Sequence, residues 1–325
     1  MLTANDEIVF KPLRYLKNRH LQTMLPSVIQ PAFPSVEKER IELEDGDFID
    51  LLWTRFRSPQ TLLVLHGLEG SGHSAYAKRI LNYCNAQQIA AVLMHFRGCS
   101  GEPNRLLRSY HSGETGDLQR VINHLKGKGV TNIALLGYSL GGNVTLKYMG
   151  ETTTDPAIQC AIAVSAPMRL DICSDAMNRG FARIYQASLL RSMIKKMHLK
   201  RTLLKASDRH YPEPQGMQNI RQFDDSFTAP IHGFDSAEHF YQSCSSRQFL
   251  INIDKPTLII QSLDDPFMTA EVLPREHELS DSVNLELSTH GGHVGFIGEN
   301  KLRPRPWLQN RIHCFLSDQQ FFNPV

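Results

Sequence analysis

The chain has 325 residues, 41% of them hydrophobic and 21% charged, with 35 Lys and Arg against 33 Asp and Glu for a formal net charge of +2. That length holds one large α/β domain with an insertion, or two ordinary domains, and the apolar content supplies a sizeable core. So balanced a charge gives no reason to expect nucleic acid or an anionic membrane as the main partner. The six cysteines (Cys84, Cys99, Cys160, Cys173, Cys244 and Cys314) form no C-x-x-C pair. This spacing argues against a zinc ribbon and a dense disulfide framework, and for reduced thiols. No apolar run approaches roughly eighteen residues, so no transmembrane segment is expected. The charged start (Asn5, Asp6, Glu7, then Lys11, Arg14, Lys17 and Arg19) has no apolar stretch of signal-peptide type, and a cytoplasmic location is expected.

In chain order, Val36–Leu43 and Phe48–Trp53 read as strands joined through the acidic turn Glu44-Asp45-Gly46-Asp47, a hairpin. Thr61–Leu65, Ile89–Met94, Ile133–Leu136, Ile158–Val164 and Thr257–Ile260 are too short for helices and too continuous for half-exposed strands. Such runs suit parallel strands covered on both faces. Helices are expected at Ser74–Gln87, at Gly113–Lys126 with Ser112 as N-cap, at Leu140–Met149 and at Pro304–Leu316. The alternation predicts a mostly parallel sheet with helices on both faces.

Residues 171–248 break the alternation. They show no strand pattern, helix-like stretches at Phe181–Leu190 and Arg191–Leu204, and a loop-rich part around Tyr211-Pro212-Glu213-Pro214. The expected organisation is an α/β core of residues 1–170 and 249–325, with 171–248 inserted as a helical cap. The basic run from Arg191 to Arg201 reads as a solvated helix face, with a nucleic-acid or lipid-surface patch as the alternative.

The chemistry gathers at strand ends. Strand Ile133–Leu136 runs into Gly137-Tyr138-Ser139-Leu140-Gly141-Gly142 and then a helix, the strand–G-x-S-x-G–helix context of a nucleophilic serine. Glycine on both sides permits a sharp turn, and the helix start leaves N–H groups to face a developing oxyanion. Ser139 is therefore the candidate nucleophile of an α/β-hydrolase fold. Its partners should follow in the order acid, then histidine. Asp265, in Asp264-Asp265-Pro266 after Thr257–Ile260, is the preferred acid, with Asp264 as alternative. His293, in His290-Gly291-Gly292-His293, is the preferred base, with His290 as competitor; the His-x-x-His spacing lacks a third ligand beside it to favour metal. His66-Gly67-Leu68 after strand Thr61–Leu65 is a loop of oxyanion-hole type. The backbone N–H groups of Leu68 and Leu140 are the expected donors, and His66 is a loop-shaping residue or a second imidazole.

The runs Leu65–Ser71, Phe96–Gly101, His111–Thr115, Gly137–Asn143 and Phe223–Pro230, the Asp265 and His293 loops, and Asn18–Thr23 resemble the AB hydrolase superfamily, AB hydrolase 4 family, across nearly the whole chain. The resemblance implies a carboxylesterase-like triad at Ser139, Asp265 and His293; the expected acyl-enzyme chemistry requires no cofactor and no metal. Members include membrane-anchored lipid hydrolases, and no such anchor is visible here. The expected activity is hydrolysis of short- to medium-chain acyl esters through an acyl-serine, the partner being a small-molecule ester. Rival readings are an acyltransferase or thioesterase with the same residues, or a silent binding protein on the same fold. Met168, Met177, Phe181, Ile184, Tyr185, Leu189, Leu190, Met193, Ile194 and Met197 either line an acyl pocket or pack the cap's own helices.

Overall fold

The computed structural model describes residues 9–151, 154–207, 210–300, 303–305 and 307–322. Asn5, Asp6 and Glu7 lie outside the described residues, as does Pro306.

Strands β1 (Glu37–Glu42) and β2 (Phe48–Trp53) form the expected hairpin, and β2 pairs antiparallel with β4 (Ala91–Met94). From there the pairing is parallel, through β3 (Gln60–Leu65), β5 (Asn132–Tyr138), β6 (Ile158–Val164), β7 (Thr257–Ser262) and β8 (Val283–Ser288). The eight strands stand in the order β1-β2-β4-β3-β5-β6-β7-β8.

Alternate residues of the inner strands serve two cores, which is why the runs are apolar throughout. Leu63, Leu65, Leu135 and Ile259 face one core, where helices α3 (Thr115–Gly127) and α4 (Leu140–Glu151) pack through Leu118, Val121, Ile122 and Val144. Leu62, Val64, Leu136 and Leu258 face the other, covered by helix α2 (Ala75–Ala86) and the C-terminal helix Trp307–Asp318. The remaining early helix, α1 (Arg19–Val28), is capped by Asn18, whose side chain accepts from the His20 and Leu21 N–H groups.

Three expectations are corrected. Helix α3 begins two residues late, at Thr115, because the Glu114 carboxylate rather than the Ser112 hydroxyl accepts from a first-turn N–H, that of Asp117 (3.2 Å). The C-terminal helix begins at Trp307, because Arg303–Arg305 instead pairs antiparallel with Gly298–Asn300. Phe181–Leu190 and Arg191–Leu204 are mostly one helix, α6 (Ala182–Leu199), followed by the short α7 (Arg201–Ala206).

Between β6 and β7 the described residues are helical and contain no strand. Helix α5 (Leu170–Met177) comes first, then α6 and α7. Ile220–Phe223 (α8) continues through the π-helical turn Asp224–Thr228 into α9 (Ala229–Ile231), and α10 (Ala237–Cys244) leads back to the sheet. Met177, Leu190, Met193, Met197, Phe223 and Phe227 share a small core of their own, against which Leu68 and Phe267 pack. Met168 instead belongs to a core of the sheet.

The acidic hairpin turn has a second use. Arg97, fully buried after β4, pairs with Asp45 (2.8 Å), Asp47 (3.1 Å) and Asp117 (2.7 Å), tying the hairpin to α3. A buried guanidinium needs such partners, because leaving it unpaired would cost several kcal/mol.

Candidate active site

Ser139 sits between β5 and α4 with φ +52, the strained left-handed geometry of a sharp strand-to-helix turn. The neighbouring glycines are required by contact. A Cβ on Gly137 would overlap the Gly141 carbonyl, and one on Gly141 would lie 2.5 Å from Leu65 O and 2.6 Å from His66 O. The elbow therefore presses directly on the end of β3.

The expected partners meet there. His293 Nε2 lies 2.9 Å from Ser139 Oγ, and its Nδ1 lies 2.8 Å from Asp265 Oδ2. Asp265 is buried, and its other oxygen accepts from the Phe267 N–H (2.8 Å). An ionised carboxylate only accepts, so Nδ1 carries the imidazole proton and Nε2 is left to accept from the serine hydroxyl. The Phe267 ring stacks on the imidazole at 3.9 Å and holds its plane.

The alternatives lie elsewhere. Asp264 accepts from the Gly292 N–H (2.9 Å), which braces the loop that carries His293, and its other oxygen stands 3.4 Å from His290 Nδ1. His290 and His293 face different carboxylates. Among the described residues no group of three or more His, Cys, Asp or Glu side chains gathers as a metal site. His66 is buried, with Nε2 accepting from the Phe96 N–H and Nδ1 bonded to Gly67 O. Both ring nitrogens are occupied, and burial pushes its pKa down to about 3. It is the loop-shaping residue.

Leu68 and Leu140 flank the serine from the two expected loops. Gly67 is so close that a Cβ there would lie 3.1 Å from Ser139 Cβ. The Ser139 N–H is committed to Val164 O (2.8 Å), and the Gly67 and Glu69 N–H groups donate to the Tyr76 and Tyr110 hydroxyls. Leu140 opens a helix, where an N–H has no partner within the helix. Among the described residues neither the Leu68 N–H nor the Leu140 N–H donates a hydrogen bond.

Two supports escaped the sequence reading. Helix α1 is built into the histidine loop: the His293 N–H donates to Thr23 Oγ1 (2.9 Å), whose hydroxyl donates to Arg19 O (2.8 Å). Beside it the buried Gln22 side chain accepts from the Ile297 N–H (2.7 Å) and donates to Leu16 O (2.7 Å). A Cβ on Gly295 would overlap Gln22 O. The only signal was that Asn18–Thr23 carried part of the family resemblance. The other support is Glu69, next to Leu68, which accepts from Tyr110 (2.8 Å), Ser192 and Lys196 (3.0 Å). It joins the oxyanion-type loop to α6.

A cavity of about 840 Å³ opens over Ser139 and His293, lined also by Met177, Tyr185, Leu189, Met193 and Phe223. Part of the Met-rich set therefore lines space as well as packing helices. Asp224, buried at the π-helical turn, also faces this cavity and accepts from Thr228 (2.7 Å) and Tyr241 (2.8 Å). Burial raises its pKa to about 6.

The sheet order, the strained serine after β5 and the acid–histidine–serine line define a hydrolase-type α/β protein. A family model described as alpha/beta hydrolase fold matches residues 60–299, and the chain belongs to that family. Within it, the chain is 41% identical over 322 residues to YheT of Escherichia coli (strain K12), a protein that bears an esterase name, covering 95% of this chain and 93% of that one. It is 26% identical to the monoacylglycerol lipase of Saccharomyces cerevisiae, covering 93% of this chain and 68% of that one. The Pyrococcus furiosus esterase Pf2001 has a similar fold, with TM-score 0.58 at 18% identity over 95% of this chain and 97% of that one.

Proposed function

We propose that the chain is a serine ester hydrolase whose nucleophile, base and acid are Ser139, His293 and Asp265. The observation that carries this is the position of His293, within hydrogen-bond reach of both Ser139 Oγ (2.9 Å) and Asp265 (2.8 Å). Ser139 Oγ attacks the ester carbonyl carbon as its proton passes to His293 Nε2. The Leu68 and Leu140 N–H groups stabilise the negative charge that develops on the carbonyl oxygen. Collapse breaks the bond to the alcohol, which leaves with the proton from His293. Water then repeats the sequence on the acyl-serine and releases the acid. Asp265 holds the tautomer and stabilises the imidazolium throughout.

Residues 171–248 act as the cap over the acyl group. The apolar wall formed by Met177, Leu189, Met193 and Phe223 suits a short- to medium-chain acyl ester, in keeping with the esterase and monoacylglycerol lipase names of the relatives. Ser139→Ala should lower turnover of a short p-nitrophenyl ester by a factor on the order of 10⁴ or more. Turnover by that variant at the wild-type rate would refute the assignment. Ethyl esters forming in added ethanol in place of the free acid would instead make the enzyme an acyltransferase.

A further inference from the structure

Exposed apolar side chains are unevenly distributed over the chain. Among the described residues fourteen large hydrophobic side chains stand exposed, and eleven of them belong to residues 9–35 and 181–207. The same two segments hold eleven Lys and Arg and no Asp or Glu, leaving the rest of the chain at a formal −9 within a total of +2. Apolar exposure and positive charge thus coincide on two stretches far apart in sequence.

The fold brings these stretches together. His20 of α1 packs on Phe181 (ring centroids 4.3 Å apart) and lies 3.2 Å from the Tyr185 hydroxyl of α6. Met24 and Val28 from the first stretch and Ile184 and Leu199 from the second line the cavity that contains Ser139. These four are 41%, 72%, 58% and 59% exposed, so they form the cavity's mouth.

The nearby carboxylates are already engaged: Glu69 with Lys196, Glu213 with Arg201, and Glu102 with Arg40. Among the described residues Arg183, Arg191 and Lys195, exposed on α6, have no carboxylate partner.

We propose that this rim seats the chain on an anionic phospholipid bilayer, so that acyl esters enter the cavity from the membrane surface. The substrate route rests on the ester-hydrolase reading; the docking itself does not. Aliphatic side chains such as Val28 and Ile184 would gain nothing against a nucleic-acid backbone, and a second copy would bring like charges face to face. Apolar side chains among basic ones match the interfacial layer of an anionic leaflet.

The test is co-sedimentation of the full-length Ser139→Ala chain with phosphatidylcholine vesicles, with and without about one-third phosphatidylglycerol. Binding is expected to the anionic vesicles and to weaken with salt. The double variant Arg183→Glu/Arg191→Glu should partition about thirtyfold less or worse, since each basic side chain at such a surface is worth about a fivefold gain. In the Ser139 background, the same double variant should keep its melting temperature and its turnover of a soluble ester. The proposal is overturned if neither vesicle binds, if the double variant binds as well as its parent, if single-stranded DNA is held more tightly than vesicles, or if the face is buried in a dimer that does not bind them. Turnover without vesicle binding overturns the docking alone, whereas vesicle binding without any turnover overturns the ester-hydrolase reading alone.

Discussion

Replacing Thr23 by valine should slow the enzyme although Thr23 is 270 residues from the histidine it supports. Valine keeps the shape of threonine but puts a methyl where Oγ1 now accepts the His293 N–H at 2.9 Å. A methyl needs about 3.5 Å or more, so the backbone at His293 must retreat by roughly 0.5–1 Å. The loop has little room to adjust, because a Cβ on Gly292 would already lie 2.6 Å from both Thr23 Oγ1 and Arg19 O. Misplacing a reacting group by about 1 Å costs about 10²-fold, so kcat should fall about 10- to 100-fold with KM nearly unchanged. The partly buried N–H left without an acceptor should also lower stability by about 1–3 kcal/mol. Steady-state kinetics on a short p-nitrophenyl ester, alongside urea unfolding, reads both effects. Thr23→Ser, which keeps the hydroxyl, should restore most of kcat. Wild-type kcat in Thr23→Val, or a serine variant as slow as the valine one, would refute the idea that α1 positions His293.

Acid should destabilise the fold through buried neutral histidines. Burial holds His66 near pKa 3 and His95 near pKa 4, against 6.5 when exposed. Below pH 6.5 the unfolded chain therefore binds more protons, so stability is full above that value and is lost as the pH falls toward the folded values. At about pH 5 each histidine should have removed about 2 kcal/mol, and equal urea-unfolding free energies at pH 7 and pH 5 would contradict this. Gly141→Ala should cost about 1–3 kcal/mol or more, because its Cβ would meet two backbone oxygens that cannot turn aside. It should also push Ser139 away from the Leu68 loop and lower kcat; a variant as stable and active as wild type would show that the elbow has slack.

Much of the sheet was legible because its strands are buried on both faces. Continuous apolar runs such as Ile158–Val164 have no helical reading of that length, and the observed β6 has those bounds. Ser139 was legible for a local reason too: the strand, the glycines and the helix that shape an elbow all lie within about twenty residues of it. The choice between Asp264 and Asp265 was of another kind. Adjacent residues point in different directions, and only the assembled loops show Asp265 on His293 and Asp264 on the Gly292 backbone. The start of α3 depended likewise on which side chain reached its first turn.

What sequence alone could not carry was proximity. Thr23 beneath His293, Glu69 bonded to α6, and the basic apolar rim all join segments that meet only when the chain closes. Net charge is a sum without positions, so a total of +2 gives no sign of two stretches that hold eleven basic residues and no acid. Local backbone geometry and burial write themselves into neighbouring residues, and so the fold and the strained serine elbow could be read from the sequence. Long-range contacts leave no such local trace, and the tertiary structure alone decided what holds His293 and what surrounds the mouth of its cavity.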